Sequence, residues 1–296
     1  RDAQESRGLG DVYKRQVFEG GAFRTIFSCG VMDALVENDI MPDYMIGVSA
    51  GAAYGVSMAS KQPRRNLDVL MKYRNDKRYL GLSNMIDKDN KSIYGLEFSY
   101  ETIPNELNLF DYDAFKQYKG DFYCVVTNLL TGQPEYMKYT GDDRTNTVLK
   151  ATCALPMLFP PIIINDVPYM DGGLSDSIPY LKAIEDGCDR IIVVLTRQSG
   201  YTKTTSRSTK AIAYSYRNQY PKLTETMLTR ASRYNESLKG LDQYVKEGRI
   251  ITIQPTTSKG FSRLEKDKNK ILSMYNDGYN QCYELLDTIK EFYGIK

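Results

Sequence analysis

The chain has 296 residues, 42% of them hydrophobic and 26% charged, which suits one large α/β domain carrying an appendage. Its net charge of +2 gives no electrostatic case for nucleic-acid binding, and with no histidine and no Cys-x-x-Cys no zinc site is expected. No run of eighteen apolar residues occurs, so no membrane-spanning helix is expected.

Residues 1–16 are polar and lack the apolar core of a signal peptide. Asp11-Val12-Tyr13-Lys14-Arg15-Gln16 resembles the translation of a transposon end used in preparing sequencing libraries. Residues 1–16 are therefore expected to be a non-native leader, with native sequence starting near Val17. Val17-Phe18 closes a short apolar run before Gly20-Gly21. Helical spacing follows over 24–38, then a buried strand over 44–48 and a helix of small residues over 50–60. Residues 64–74 read as a helix, 82–108 as loop, and 112–118 as a short helix. A strand over 121–127 pairs with 134–139 across Thr131-Gly132. A helix over 145–153 precedes a tight hairpin, with Ile162-Ile163-Ile164 and Val167-Pro168-Tyr169-Met170 flanking Asn165-Asp166. Residues 178–186 are helical, and the continuous apolar run 191–195 is a central strand. After Arg197 the composition turns polar. Residues 199–209 read as a mobile loop, with long helices over 222–247 and 265–293 around a strand at 250–254. This tail reads as a mainly helical extension, 198–296, with little catalytic chemistry and with solvated lysines. The five scattered cysteines read as small buried hydrophobes in a reducing compartment, which points to the cytoplasm.

Gly47-Val48-Ser49-Ala50-Gly51 sits between a buried strand and a helix, the setting of a nucleophilic serine on a sharp turn. A serine needs a base, and with histidine absent the usual triad is impossible. The base must then be a carboxylate, a lysine or a tyrosinate, and a carboxylate shielded from water can take the proton directly. Asp171, at a strand end and followed by Gly172-Gly173, is the candidate. Glu19-Gly20-Gly21-Ala22-Phe23-Arg24, between a strand and a helix, leaves backbone amides free for an anion, the oxyanion of an acyl-transfer intermediate. A dinucleotide cradle needs glycine where Ala22 and Thr25 stand. Arg24 is expected to support this loop or to meet an anionic headgroup. Aromatic residues over 94–98 and the apolar stretch 155–161 are candidates for core packing or for an acyl-chain cleft.

Three motifs in this order resemble the patatin-like phospholipase family, whose pattern is G-G-G-x-R-G, G-x-S-x-G and D-G-A/G. The resemblance covers 17–197 and implies a three-layer α/β/α sandwich around a mostly parallel sheet. It also implies a Ser-Asp dyad of Ser49 and Asp171, hydrolysis of lipid acyl esters with no cofactor, and peripheral contact with a lipid surface. Gly20, Gly21 and Ala22 map to the oxyanion loop, and Arg24, Gly47, Gly51, Gly172 and Gly173 are motif support. The tail, through Tyr216-Arg217, Tyr220-Pro221, Tyr234-Asn235 and Arg263-Leu264-Glu265-Lys266-Asp267, is similar to the extension of a bacterial cytosolic branch. The loop departs from the family at Ala22 and Thr25. Acyl transfer by the same dyad, and a lipid-binding scaffold without useful catalysis, are the competing expectations.

Overall fold

The computed structural model describes residues 13–88 and 90–295, so 1–12 of the expected leader lie outside the described residues. Strand β1 (Arg15–Phe18) leads through a 3-10 turn (Ala22–Thr25) into α1 (Ile26–Glu37). There follow β2 (Tyr44–Val48), α2 (Ala50–Ala59), α3 (Arg65–Tyr73) and α4 (Ser83–Ile86), then a π-helix (Phe98–Leu107) and α5 (Tyr112–Gln117). Next come β3 (Asp121–Asn128), β4 (Pro134–Lys138), α6 (Thr147–Cys153), β5 (Ile162–Ile164), β6 (Val167–Asp171), α7 (Tyr180–Glu185) and β7 (Ile191–Val194). The chain ends with α8 (Arg207–Ser215), α9 (Pro221–Lys246), β8 (Ile250–Ile253), α10 (Lys268–Glu284) and α11 (Leu286–Tyr293).

The eight strands form one sheet in the order β5-β6-β3-β2-β1-β7-β8, with β4 also on β3. Strands β3, β2, β1, β7 and β8 are parallel, while β4, β5 and β6 form the antiparallel side. Side chains alternate across the sheet as strand geometry requires. Phe18, Met45, Phe122 and Ile192 join a core with α1, α2 and α10 on one face. Val17, Ile46, Val125 and Val193 meet α7 and α9 on the other. Helices on both faces of a mostly parallel sheet make the expected three-layer sandwich.

Two stretches differ from the expectation. Residues 82–108, read as loop, contain α4 and the π-helix, whose Pro104 breaks the usual helical spacing. Within the polar 199–209 stretch, α8 begins where the Ser206 side chain accepts a hydrogen bond from the Thr209 amide.

The tail is woven into the sandwich. Strand β8 extends the sheet beside β7, and α10 crosses α1 at backbone contact. A Cβ at Gly30 would lie 2.1 Å from the Tyr275 carbonyl oxygen, and one at Gly278 would lie 2.0 Å from that of Phe27. The crossing therefore admits no side chain at either position. Within β1, Gln16 is fully buried, in register with Met45 and Ile192, and both polar atoms of its amide lack a partner. Among the described residues no helix is long and apolar enough to cross a membrane.

Candidate active site

Ser49 follows the last residue of β2 and caps α2 at φ 54° and ψ −128°, a backbone conformation that side chains rarely adopt. The motif glycines make this turn possible. A Cβ at Gly47 would lie 2.6 Å from the Ala52 backbone, and one at Gly51 would lie 2.5 Å from the Phe18 carbonyl oxygen. The turn is tied from below by Thr152 of α6, whose hydroxyl accepts from the Ser49 amide at 2.9 Å and donates to the Val125 carbonyl at 2.5 Å. Nothing in the sequence around Thr152 marks this strut.

Asp171 ends β6 in a buried position, and its Oδ1 accepts from the Gly173 amide at 2.8 Å. Gly172 packs on β3 so closely that a Cβ would lie 2.1 Å from the Val125 carbonyl oxygen. Burial raises the Asp171 pKa. Arg230, the neighbouring Ser49 hydroxyl, the Gly173 amide and Arg263 act in the opposite direction. Ser49 and Asp171 line the same cleft, together with Gly20, Gly21 and Ala22. A Cβ at Gly20 would lie 2.6 Å from the Val48 carbonyl oxygen, so the loop lies directly on the Ser49 turn. Among the described residues the amides of Gly20, Gly21 and Ala22 donate to no backbone carbonyl. Ala22, where the family pattern has glycine, sits at φ 51°, the left-handed conformation that an alanine adopts at a cost.

Two clefts of opposite character meet at Ser49. One is apolar and runs between α2, the π-helix and α6, with Tyr54, Tyr100, Ile103, Leu149 and Phe159 among its walls. Its empty volume is about 990 Å³, open solvent at the mouth included. Of the aromatic and apolar stretches singled out in the sequence, Tyr94, Leu155 and Phe159 line it, whereas Met157 is exposed. Cys153 also lines this cleft, and burial pushes its thiol up to about 12, which keeps it protonated and non-nucleophilic.

The second cleft is polar and holds Asp171 and Glu19 with five cations: Arg24, Arg197, Lys203, Arg230 and Arg263. Arg24 is buried, and its pKa is lowered to about 10 by burial, then by the neighbouring Arg197 and Arg263. Arg230 donates through Nε to the Gly173 carbonyl at 2.5 Å. Lys203 corrects the expectation of solvated tail lysines. It is half-buried, its ammonium sits 3.7 Å from the Tyr234 ring centroid, and burial lowers its pKa to about 7. The tail also reaches the glycine loop, because the Phe23 amide donates to the Arg263 carbonyl at 3.1 Å. Sequence reasoning missed Lys203, Arg230 and Arg263, which lie far apart in the chain and in polar surroundings. No group of three or more residues of metal-ligating type comes together among the described residues.

Residues 220–294 match the model of a domain of unknown function, DUF6363. Over 192 residues the chain is 28% identical to the uncharacterized protein YjjU of Escherichia coli, covering 61% of this chain and 51% of that protein. Over 189 residues it is 29% identical to lysophospholipase nte1 of Aspergillus terreus, covering 60% of this chain and 11% of that one. The chain thus spans about half of the first relative and a small part of the second. The crystal structure of VipD from Legionella pneumophila is similar at a TM-score of 0.46 and 15% identity, over 94% of this chain and 67% of that one. Residues 17–184, which hold the Gly20-Gly21-Ala22 loop, the serine turn and Asp171, match the patatin-like phospholipase model, and the chain belongs to that family.

Proposed function

We propose that this protein is a lipid acyl hydrolase in which Ser49 is the nucleophile and Asp171 the general base. The observation that carries the reading is the convergence of a strained, half-buried serine and a buried carboxylate at the junction of an apolar and a polar cleft. Burial moves Asp171 toward the range in which a carboxylate accepts a proton effectively. In the first half-reaction Ser49 Oγ attacks the ester carbonyl carbon while Asp171 takes the hydroxyl proton. The carbonyl π electrons move onto oxygen, facing the loop of Gly20, Gly21 and Ala22. Collapse of this intermediate breaks the ester C–O bond, and the proton on Asp171 passes to the departing alkoxide. In the second half water attacks the acyl-serine, Asp171 takes its proton, and Ser49 leaves with that proton as the fatty acid is released. Each amide donor to the oxyanion is worth about 2.7–4 kcal/mol in the transition state.

Ser49→Ala and Asp171→Asn should each abolish fatty-acid release from short acyl esters. Undiminished turnover in either variant defeats the mechanism. The left-handed Ala22 favours a rival reading, a lipid-binding scaffold without useful catalysis. A fluorophosphonate probe separates the two, since labelling at Ser49 requires an activated nucleophile.

A further inference from the structure

The polar cleft beside Ser49 is electrostatically unbalanced. Five cations face it against two carboxylates, and both carboxylates are already engaged. Glu19 accepts from the Thr196 amide at 2.6 Å, from the Thr196 hydroxyl at 3.0 Å and from the Tyr234 hydroxyl at 2.9 Å. Asp171 is held by the Gly173 amide and reached by Ser49. Among the described residues, none of the five cations makes a salt bridge. Arg24 is only 6% exposed, and its Nε has no partner. A buried guanidinium N–H without an acceptor is a costly state that a bound anion relieves.

The cations are also fixed in place. Lys203 exchanges backbone hydrogen bonds with the Asn235 side chain of α9, at 2.8 and 3.0 Å. The Arg197 guanidinium lies 4.4 Å from the Tyr201 ring centroid. Arg263 rides on a loop whose amides at Ser262, Lys266 and Asp267 all donate to Glu265. Four of the five cations thus come from the segment after β7, outside the residues that match the catalytic family.

We infer that this cleft is a phosphate subsite built by the C-terminal segment, and that the substrates are acyl esters whose alcohol carries a phosphate close to the scissile bond. The inference rests on the acyl-serine reading above for the position of the ester, while the anion site itself stands on the cation cluster. Guanidinium groups match phosphate oxygens in geometry and charge. A phosphate monoester suits the cleft better than phosphocholine, because no free carboxylate remains there to receive an ammonium. Lys203 is surrounded by Arg230, Arg263, Arg197 and Glu19, so an arriving dianion restores its full protonation.

The test compares kcat/KM for 1-palmitoyl lysophosphatidate, 1-palmitoyl lysophosphatidylcholine and 1-palmitoylglycerol. The enzymes are the full chain and its Arg197→Gln/Lys203→Met double variant. Lysophosphatidate should be preferred over the uncharged ester by roughly tenfold or more in the wild type, and the double variant should lose about tenfold or more of that ratio. Lys203→Arg should retain it. Inorganic phosphate should inhibit hydrolysis of 1-palmitoylglycerol competitively in the wild type and much more weakly in the double variant. Phosphate inhibition with equal use of all three lipids assigns the cleft to free phosphate and overturns the headgroup role. Absence of both effects overturns the subsite. If none of the three esters is cleaved, the acyl-hydrolase reading fails separately. A phosphate-induced rise in melting temperature, present in the wild type and lost in the double variant, then still decides the anion site. Without phosphate, removing two mutually repelling cations should leave the melting temperature unchanged or higher.

Discussion

Replacing Ser49 with glycine should destroy activity and raise stability at once. The serine holds φ 54° and ψ −128°, a conformation that costs a residue with a Cβ about 1–3 kcal/mol. Glycine removes that cost but adds about 0.5–1 kcal/mol of backbone entropy lost on folding. At the middle of both ranges the net gain is about 1.3 kcal/mol. With an unfolding entropy of about 2.1 cal/mol/K per residue, a chain of 296 residues gives roughly 0.6 kcal/mol/K. The melting temperature should therefore rise by about 1–3 °C. Ser49→Ala is the necessary comparison, since alanine is equally inactive but keeps the Cβ and its strain. Both variants retain the backbone amide that donates to Thr152. Calorimetry on the three proteins, beside fatty-acid release, reads the difference directly. A glycine variant that melts at or below the alanine variant would show that the turn stores no strain.

Further expectations follow from buried groups. Arg230 favours the ionised form of Asp171, so Arg230→Met should move the acid limb of kcat/KM to higher pH; an unmoved or lowered limb contradicts the placement of this cation. Gln16→Met should stabilise by about 1–3 kcal/mol, since the glutamine amide is buried without partners, and a thermal melt unchanged or lowered by the substitution rules this out. Burial raises the Asp33 pKa to about 6, against the opposing hydrogen bonds from the Tyr275 hydroxyl and the Arg64 amide. The folded state then binds more protons than the unfolded one between about pH 4 and 6, so this residue's contribution is present in acid and fades as pH rises through 6. Over that window it amounts to roughly 3 kcal/mol, and denaturant titrations of Asp33→Asn should show a flatter pH profile than the wild type.

The architecture was legible wherever local pattern and tertiary demand agree. The apolar runs 44–48 and 191–195 became β2 and β7, and the Asn165-Asp166 hairpin delivered β6 to Asp171. The sharp turns at Ser49 and Asp171 were readable because short glycine motifs mark a strand end, and the structure sets both residues on one cleft. The apolar cleft was readable only in part. Its wall includes the π-helix, where Pro104 and a wide turn erase the 3.6-residue period. The cationic cleft was invisible for a different reason. Lys203, Arg230 and Arg263 belong to three separate segments, and each is an ordinary charged residue in an ordinary polar stretch. Only the docking of α9 and of the loop before α10 against the sandwich brings them together. Ala22 was legible as a departure from the family pattern, and its φ of 51° places an alanine in the region that favours glycine.

The meeting of two clefts at Ser49 bears on the order of events within one turnover. With the chain seated among the aromatic walls and the alcohol on the cationic side, the products part in opposite directions. The alcohol can depart while the acyl group stays anchored, and the space it vacates adjoins Asp171. With Asp171 as the proposed base, incoming water would arrive in the compartment that holds the proton acceptor and need not cross the aliphatic one. In the proposed reaction the lifetime of an acyl-serine would follow this polar entrance, and departure of the fatty acid would follow chain length. On the proposed reading, a headgroup held among the arginines would delay deacylation even after its bond to the acyl group is gone.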